Sequence, residues 1–486
     1  MRNKNIFSYT LIIFGILAAL FSLLADVLGL GRSGINAAQV FVAEIGVIIA
    51  LLGVASAIFQ RERGPLGPSF WLELRDRMYN LPSLVWVVIG FLPAFLLSFI
   101  APMFFAPNHE FQYAQGYLPN MDPVGNDFGL ILNAARSWLQ TGRTTPFVFT
   151  PLINILFAPL LLLGYPGSYY VITLATLGSY VILCLLAILM SSGRNHLVIV
   201  FIAAISIFSY GMQFELERGQ SHTIALMFGV LAVYVFHKHP HFRVFAYLLF
   251  CISVQLKFYP ALLVVMFVDD WRDWKNNLKR FSALGLANIL LLFVLGFSYF
   301  SAFFDHMTGV LAKIDGWNGN HSISSFVFVL QDSGIGLFTG IPLEWIRTNT
   351  ALISNLLYLY FFVCLLTVLI NAYLKNTTGV NADLLLVCVI GGLTLPSANH
   401  DYSLPLLTAP FAMSISNWHT RDYRWAAIIT ILLTIIASFT YALTLFPFIY
   451  RPVYFQNSFS MLFIILTIVT LLNVAQKRKE ITQLMD

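Results

Sequence analysis

Along the chain, long apolar blocks alternate with short polar connections. Blocks of bilayer length lie at 6–28, 40–59, 82–105, 169–190, 281–304, 352–374, 425–446 and 459–474. A helix needs about 20 apolar residues to cross a hydrocarbon core, so these blocks predict membrane spans. Shorter apolar stretches at 197–213, 221–237, 244–269, 383–396 and 403–416 predict further spans or half-spans. The stretch 244–269 is interrupted by Lys257-Phe-Tyr-Pro260. Proline removes a helical hydrogen bond, and such breaks persist where backbone lines a cavity, so two half-helices are expected there. Thr150–Gly164 is apolar but carries two prolines. At about 1.5 Å per residue its roughly 14 residues fall short of a 30 Å core. It predicts an interfacial or re-entrant helix. A short apolar helix is expected near 323–338.

Composition agrees. Hydrophobic residues make up 58% of the 486 and charged residues only 10%, against about 25% charged in a soluble domain. The first apolar block is too long, and too poor in small-residue cleavage signals, for a removable signal peptide. Cys184, Cys251, Cys364 and Cys388 all lie inside apolar blocks and read as small buried side chains, with neither a disulfide nor a metal implied.

Charge then orients the chain. The net charge of +5 is scattered over short connections without a basic aromatic groove, which argues against nucleic acid. Placing Arg2 and Lys4 in the cytoplasm, and keeping 150–164 on the outer side, puts 19 of the 27 Lys and Arg residues inside. These include Arg61, Arg63, Arg75, Arg77, Arg194, Lys238, Arg243, the 272–280 cluster and Lys477–Lys479. The alternative register exports most of that charge, against the positive-inside tendency. The reading is therefore a multi-pass protein of the cell membrane with both termini cytoplasmic. Residues 1–80 form a pair of spans and a basic inner loop, and 81–486 form the main membrane domain, with outer loops 106–168 and 305–348.

That topology gathers the unusual polar clusters on the outer face: Gly125-Asn-Asp127, Glu217-Arg-Gly-Gln220, Lys257-Phe-Tyr-Pro260, Gly319-Asn-His-Ser322 and Asn399-His-Asp-Tyr402. Ionisable groups at span ends are expensive unless paired or functional. Together they supply what group transfer needs. A carboxylate can act as general base toward a hydroxyl, and Lys, Arg and His can hold an anionic leaving group. Plainer readings stand beside these. Asp127 can cap the helix that follows it, Arg218 can pair with Glu215 or Glu217, Lys257 can snorkel to headgroups, and His400-Asp401 can be an ordinary turn. Asn320-His-Ser322 is a glycan sequon only in a secretory pathway. The run His237-Lys-His-Pro-His241 reads as cytoplasmic charge and not as a metal site.

These motifs, in this order, resemble the GT-C superfamily of integral membrane glycosyltransferases, and within it glycosyltransferase family 87, the polyprenyl-phosphate-mannose-dependent mannosyltransferases. The resemblance runs over about residues 82–420. It rests on Asp127, Ala134-Ala-Arg136-Ser-Trp-Leu139, Gly142, the Thr-Pro-Leu to Ala-Pro-Leu segment, Arg218-Gly-Gln220, Lys257-Phe-Tyr-Pro260, Asn320-His-Ser322 and His400-Asp-Tyr402. It implies an all-α polytopic bundle of about 12–14 transmembrane or half-membrane helices, a lipid-linked sugar donor, inversion and no nucleotide-sugar site. No cofactor is expected, and a metal is not required if Lys and Arg carry the leaving-group charge, with no ligand cluster suggesting one. It makes Asp127 the base. Lys257, Arg218, Gln220, His400, Asp401, Tyr402, Tyr259, Asn320, His321 and Arg136 become candidates for the donor phosphate and substrate. The acceptor would be a glycan, glycolipid or protein. Two features depart from the family pattern: Thr150-Pro151 stands where paired prolines are usual, and two extra spans precede the matching region. The competing reading is a transporter or lipid flippase, against which stand the absence of an internal repeat and the one-sided polar clusters.

Overall fold

A computed structural model describes residues 10, 12–18, 21, 125–142, 149–191, 196–207, 209–311, 316, 319–331, 342–376, 379–419, 428–430 and 457–485. The expected spans 40–59 and 82–105, most of 425–446, and the basic loop with Arg61–Arg77 lie outside the described residues. The chain divides into two compact units, one of residues 1–120 with 196–209 and one of 121–195 with 210–486. Within the first, α4 (His196–Ile207) is described. The remaining helices below belong to the second.

The described chain is helical. It runs through α1 (Asn126–Thr141), α2 (Pro151–Phe157), α3 (Gly164–Met190), α5 (Tyr210–Arg218), α6 (His222–Lys238), α7 (Arg243–Leu256), α8 (Trp274–Leu291), α9 (Phe297–Leu311), α10 (Ile323–Leu330), α11 (Leu343–Thr348), α12 (Thr350–Lys375), α13 (Ala382–Thr394), α14 (Thr408–His419) and α15 (Phe459–Met485). Tighter 3-10 turns occupy Ala158–Leu163, Tyr259–Met266 and Asp401–Leu407. Among the described residues, two apolar runs are long enough to cross a membrane, Pro151–Met190 at 40 residues and Thr350–Lys375 at 26. Only 17% of the apolar window of α12 is buried. Leu352, Leu356, Leu359, Phe362, Leu366 and Ile370 are exposed along it, as on a helix that faces hydrocarbon.

Local sequence explains the boundaries. Asn381 caps α13 by accepting from the backbone N–H of Asp383 and Leu384, and Ser322 caps α10 by accepting from Ser325 N. α7 stops at Leu256, and Lys257 turns extended with φ −153° and ψ 141°. Pro260 follows three residues on, so the expected break after Leu256 is present.

Three elements differ from expectation. The apolar block 281–304 is not one helix, because α8 ends at Leu291 and α9 begins at Phe297. Gly296, at φ 94°, makes the turn between them, hidden in an otherwise apolar run. The block 197–213 is split, α4 ending at Ile207 and α5 starting at Tyr210. The Thr150–Gly164 segment is a short helix followed by a 3-10 turn. It then passes through Gly164 at φ 67° into α3, so the apolar run continues to Met190.

In the second unit α6 packs against α7 and α3, α5 against the 401–407 turn, and α13 against the 259–266 turn. The four cysteines are free and buried, as apolar side chains would be.

Candidate active site

The start of α1 places Asp127. Gly125 caps the helix in the left-handed region at φ 78°, with no side-chain cap. Its N–H donates to the carbonyl of Glu217 at 2.7 Å. A Cβ at Gly125 would lie 2.6 Å from the Tyr169 ring, so only glycine fits between α1 and α3. Asp127 sits two residues into the helix and does not cap it. Its Oδ2 instead accepts the Gln220 side-chain amide at 2.6 Å.

The turn between α5 and α6 supplies Gln220 and its neighbours. Gly219, at φ 64°, reverses the chain, and a Cβ there would meet Phe128 at 2.7 Å. The reversal puts three functional side chains on three different partners. Arg218 Nε lies 3.3 Å from Glu217 Oε2, its Nη1 lies 3.6 Å from Asp127 Oδ1, and the guanidinium covers the Phe214 ring at 5.0 Å. Gln220 Oε1 accepts from Lys257 Nζ at 2.8 Å. Glu215, fully buried, turns away to the N-terminus of α6, where its carboxylate accepts from Thr223 N at 2.7 Å and Thr223 Oγ1 at 2.6 Å. Of the two expected partners of Arg218, the structure therefore uses Glu217. Glu217 lies beyond the end of the apolar run 197–213. Burial pushes its carboxyl up to about 7, Arg218 opposing the rise and Asp127 adding to it.

Lys257 reaches this cluster because the chain is broken beside it. A helix end leaves carbonyls without intrahelical partners, and the carbonyl of Gln255 accepts from the hydroxyl of Thr150. Thr150, at the departure from the family pattern, thus binds a group that a proline could not satisfy.

An aromatic wall adjoins the ionic groups. Tyr402 meets Phe214 at 5.4 Å, His222 at 5.1 Å and His400 at 5.3 Å between ring centres. His222 and Tyr259 stack nearly parallel at 5.8 Å, and the Tyr259 hydroxyl donates to the His222 carbonyl. Tyr402 and His400 are partly exposed.

Asn320, His321 and Asp401 form a separate buried clip. An antiparallel bridge joins Asn320 to His400, with His321 N donating to Asn399 O at 3.0 Å and Asp401 N to Gly319 O at 2.9 Å. Asn320 is 0% exposed. Its amide donates to Ser397 O, and its Oδ1 accepts from Ser322 N and Asn399 N. A glycan cannot be added to so enclosed a side chain in the folded protein. His321 Nδ1 lies 3.3 Å from Asp401 Oδ1, and its Nε2 lies 3.2 Å from Ser403 Oγ. Burial pushes the Asp401 carboxyl well above the usual carboxylate range and the His321 imidazole down to about 3. Both are therefore neutral. The Asp401 carboxyl donates to His321 Nδ1, and Ser403, which receives the Nε2 proton, donates onward to Asn399 Oδ1 or His400 O.

The structure thus joins Asp127, Arg218, Gln220 and Lys257, and sets Tyr259, Tyr402 and His400 beside them. Asn320, His321 and Asp401 hold the segment that presents His400 and Tyr402. Arg136 stands apart, exposed and bonded to Asn133 on its own helix at 3.3 Å. Glu217, noted in the sequence only as a partner for Arg218, and His222 belong to the site as well. Their signal was position alone, on either side of Arg218-Gly-Gln220.

A partly exposed carboxylate, two cations and an aromatic wall thus lie together, in a chain whose described residues are helical with apolar runs of membrane length. The chain belongs to glycosyltransferase family 87, whose model matches residues 147–396, and is thus a membrane glycosyltransferase of the GT-C type. The match takes in Arg218, Gln220, Lys257, Asn320 and His321 and leaves Asp127 and His400–Tyr402 beyond its ends. Neither the curated proteins nor the solved structures yield a match.

Proposed function

We propose that the enzyme moves a hexose, with mannose the first candidate, from a polyprenyl phosphate to an acceptor hydroxyl at the outer face of the cell membrane, with inversion. The observation that carries this reading is the hydrogen-bonded chain from Asp127 through Gln220 to Lys257, with Arg218 alongside. It brings a carboxylate able to act as base together with two cations, the pairing that glycosyl transfer from a phosphate requires.

In this mechanism the acceptor oxygen attacks the anomeric carbon and its proton passes to Asp127. The bond from that carbon to the phosphate oxygen breaks, and polyprenyl phosphate leaves with the electron pair. Charge grows on the phosphate as the sugar gains oxocarbenium character, so Lys257 and Arg218 contribute most if aimed at the leaving group. Gln220 keeps the two roles apart. By accepting from Lys257 and donating to Asp127, it stops the ammonium from pairing directly with the base. Tyr402 and His400, both partly exposed, offer ring faces to a sugar, backed by the buried His222–Tyr259 stack, and the buried clip holds that wall in place.

The test is transfer by purified protein in lipid nanodiscs, supplied with radiolabelled undecaprenyl-phosphate mannose and a membrane glycolipid extract. Label recovered in glycolipid supports the reading. Donor movement between leaflets of reconstituted vesicles, with no label transferred, replaces it with a flippase. Transfer from a nucleotide sugar but not from the lipid donor overturns the donor assignment.

A further inference from the structure

The site holds three carboxylates, Asp127, Glu215 and Glu217, against two cations, Arg218 and Lys257. Glu215 is accounted for at the N-terminus of α6. Glu217 is not, because its nearest cation is the one beside the base. Arg218 stands between the two carboxylates, closer to Glu217 at 3.3 Å than to Asp127 at 3.6 Å. The side chains of Arg218 and Glu217 are 11% and 9% exposed, whereas that of Asp127 is 23% exposed. Asp127 is thus the more open of the two carboxylates that share the guanidinium; its Oδ2 is held by Gln220, whereas Glu217 Oε2 and Arg218 Nε make no hydrogen bond among the described residues.

We propose that Glu217 is a positioning residue for the base: by sharing the Arg218 guanidinium it keeps Asp127 loosely paired, and so basic and accessible to an acceptor hydroxyl. This rests on the glycosyl-transfer reading above. Without a competitor, a guanidinium beside an aspartate closes to a bidentate pair, and such a pair lowers the carboxyl pKa and occupies both oxygens. Asp127 already carries two influences that weaken it as a base, the Gln220 amide on Oδ2 and the positive end of α1. Glu217 opposes both with a second negative charge. The backbone fixes the arrangement, since Gly125 N donates to the Glu217 carbonyl and ties the start of the base's own helix to this residue. The groups facing Glu217 are Arg218 on its own helix, Asp127 from α1 and Tyr165 from α3. Only Arg218 among them is a cation, so protonating Glu217 releases the guanidinium toward Asp127.

The sign of the pH effect follows. With the Glu217 charge gone, the guanidinium closes on Asp127, so activity persists to lower pH while a more tightly held base slows the plateau. In the donor-transfer assay above, Glu217→Gln should move the acid limb of kcat/KM down by about one pH unit and lower plateau kcat roughly three- to tenfold. Glu217→Asp should keep the wild-type limb. Burial lifts the Glu215 carboxyl to about 7 as well, so infrared difference spectra are read in a Glu215→Gln background, where a carboxyl band titrating near neutral pH should be abolished by the further change Glu217→Gln. A fall in kcat with an unmoved acid limb overturns the proposal while leaving glycosyl transfer intact, and so does an infrared band that persists in the double variant. If the double variant does not fold, absence of a neutral-pH band from the Glu215→Gln protein overturns it equally. A wild-type protein that transfers no sugar overturns the functional reading instead, a distinct outcome.

Discussion

Two places in this enzyme set an aspartate against side-chain nitrogens, and they do opposite things with it. Around Asp127 the groups are ionisable and partly open, with two cations and a second carboxyl close by. Around Asp401 the groups are neutral and sealed, with His321 and Asp401 at 0% and 1% side-chain exposure. The difference lies in burial. An isolated charge in a low-dielectric interior is costly, so a fully buried carboxyl keeps its proton and becomes a hydrogen-bond donor. A half-buried carboxylate flanked by Arg218 and Lys257 can stay ionised. The comparison teaches that a carboxylate beside histidine or arginine is a reactive group only where water or substrate can reach it.

The largest effect should come from removing the charge at the open site. Asp127→Asn keeps the size and can still bond Gln220, yet it cannot take a proton. Transfer should fall by about 10²- to 10⁴-fold, measured as label moved per unit time with the protein still monodisperse. Activity within tenfold of wild type would end the role of Asp127 as base. Lys257→Ala comes next, with a loss of about 10²-fold in kcat/KM. Its dependence on donor concentration should change more than its dependence on acceptor. Unaltered donor dependence would take Lys257 out of the phosphate site.

A third change tests the seam between the two regions. Gly211, inside α5, packs against the sealed segment so closely that a Cβ would lie 2.7 Å from the Asp401 carbonyl oxygen. That neighbour is backbone and cannot swing aside. Gly211→Ala should therefore cost about 1–3 kcal/mol, seen as a lower Tm in detergent. Activity should fall with it, because α5 also carries Arg218. A Tm equal to that of wild type would show that the two regions are not packed as rigidly as this distance requires.

Much of this was legible in the sequence, and the parts that were not share a cause. The break after Leu256 was readable because Pro260 acts on its own neighbours, and α12 and α13 because apolar length is a local fact. The turn at 292–296 was not, since its one signal, Gly296, sits among phenylalanines and leucines that read as a continuous span. Motif order singled out Asp127, Arg218, Gln220 and Lys257, which the fold brings together. Motif chemistry could not tell that His321 and Asp401 face each other and not a ligand, because their separation of 80 positions closes only through the bridge between Asn320 and His400. Glu217 was hidden in another way. Beside Arg218 in sequence it looked like a simple ion-pair partner, and only the fold of Gly219 shows the same guanidinium reaching Asp127.

The smallest effect belongs to the same substitution as the largest. With Asp401 neutral and donating to His321 Nδ1, Asp401→Asn replaces one donor of similar size by another. The amide N–H can take over the bond, and the former charge is not missed because it was not there. Stability should change by less than about 0.5 kcal/mol, and sugar transfer should stay close to wild type. Asp401→Ala, by contrast, strands His321 Nδ1 in a dry pocket and should cost about 1–3 kcal/mol. Were the pair instead an ion pair, Asp401→Asn would leave a buried imidazolium without its counter-ion, and its cost would approach or exceed that of alanine. Thermal unfolding of the two variants side by side separates these cases. An asparagine variant as damaged as the alanine one would show that the sealed aspartate is charged after all.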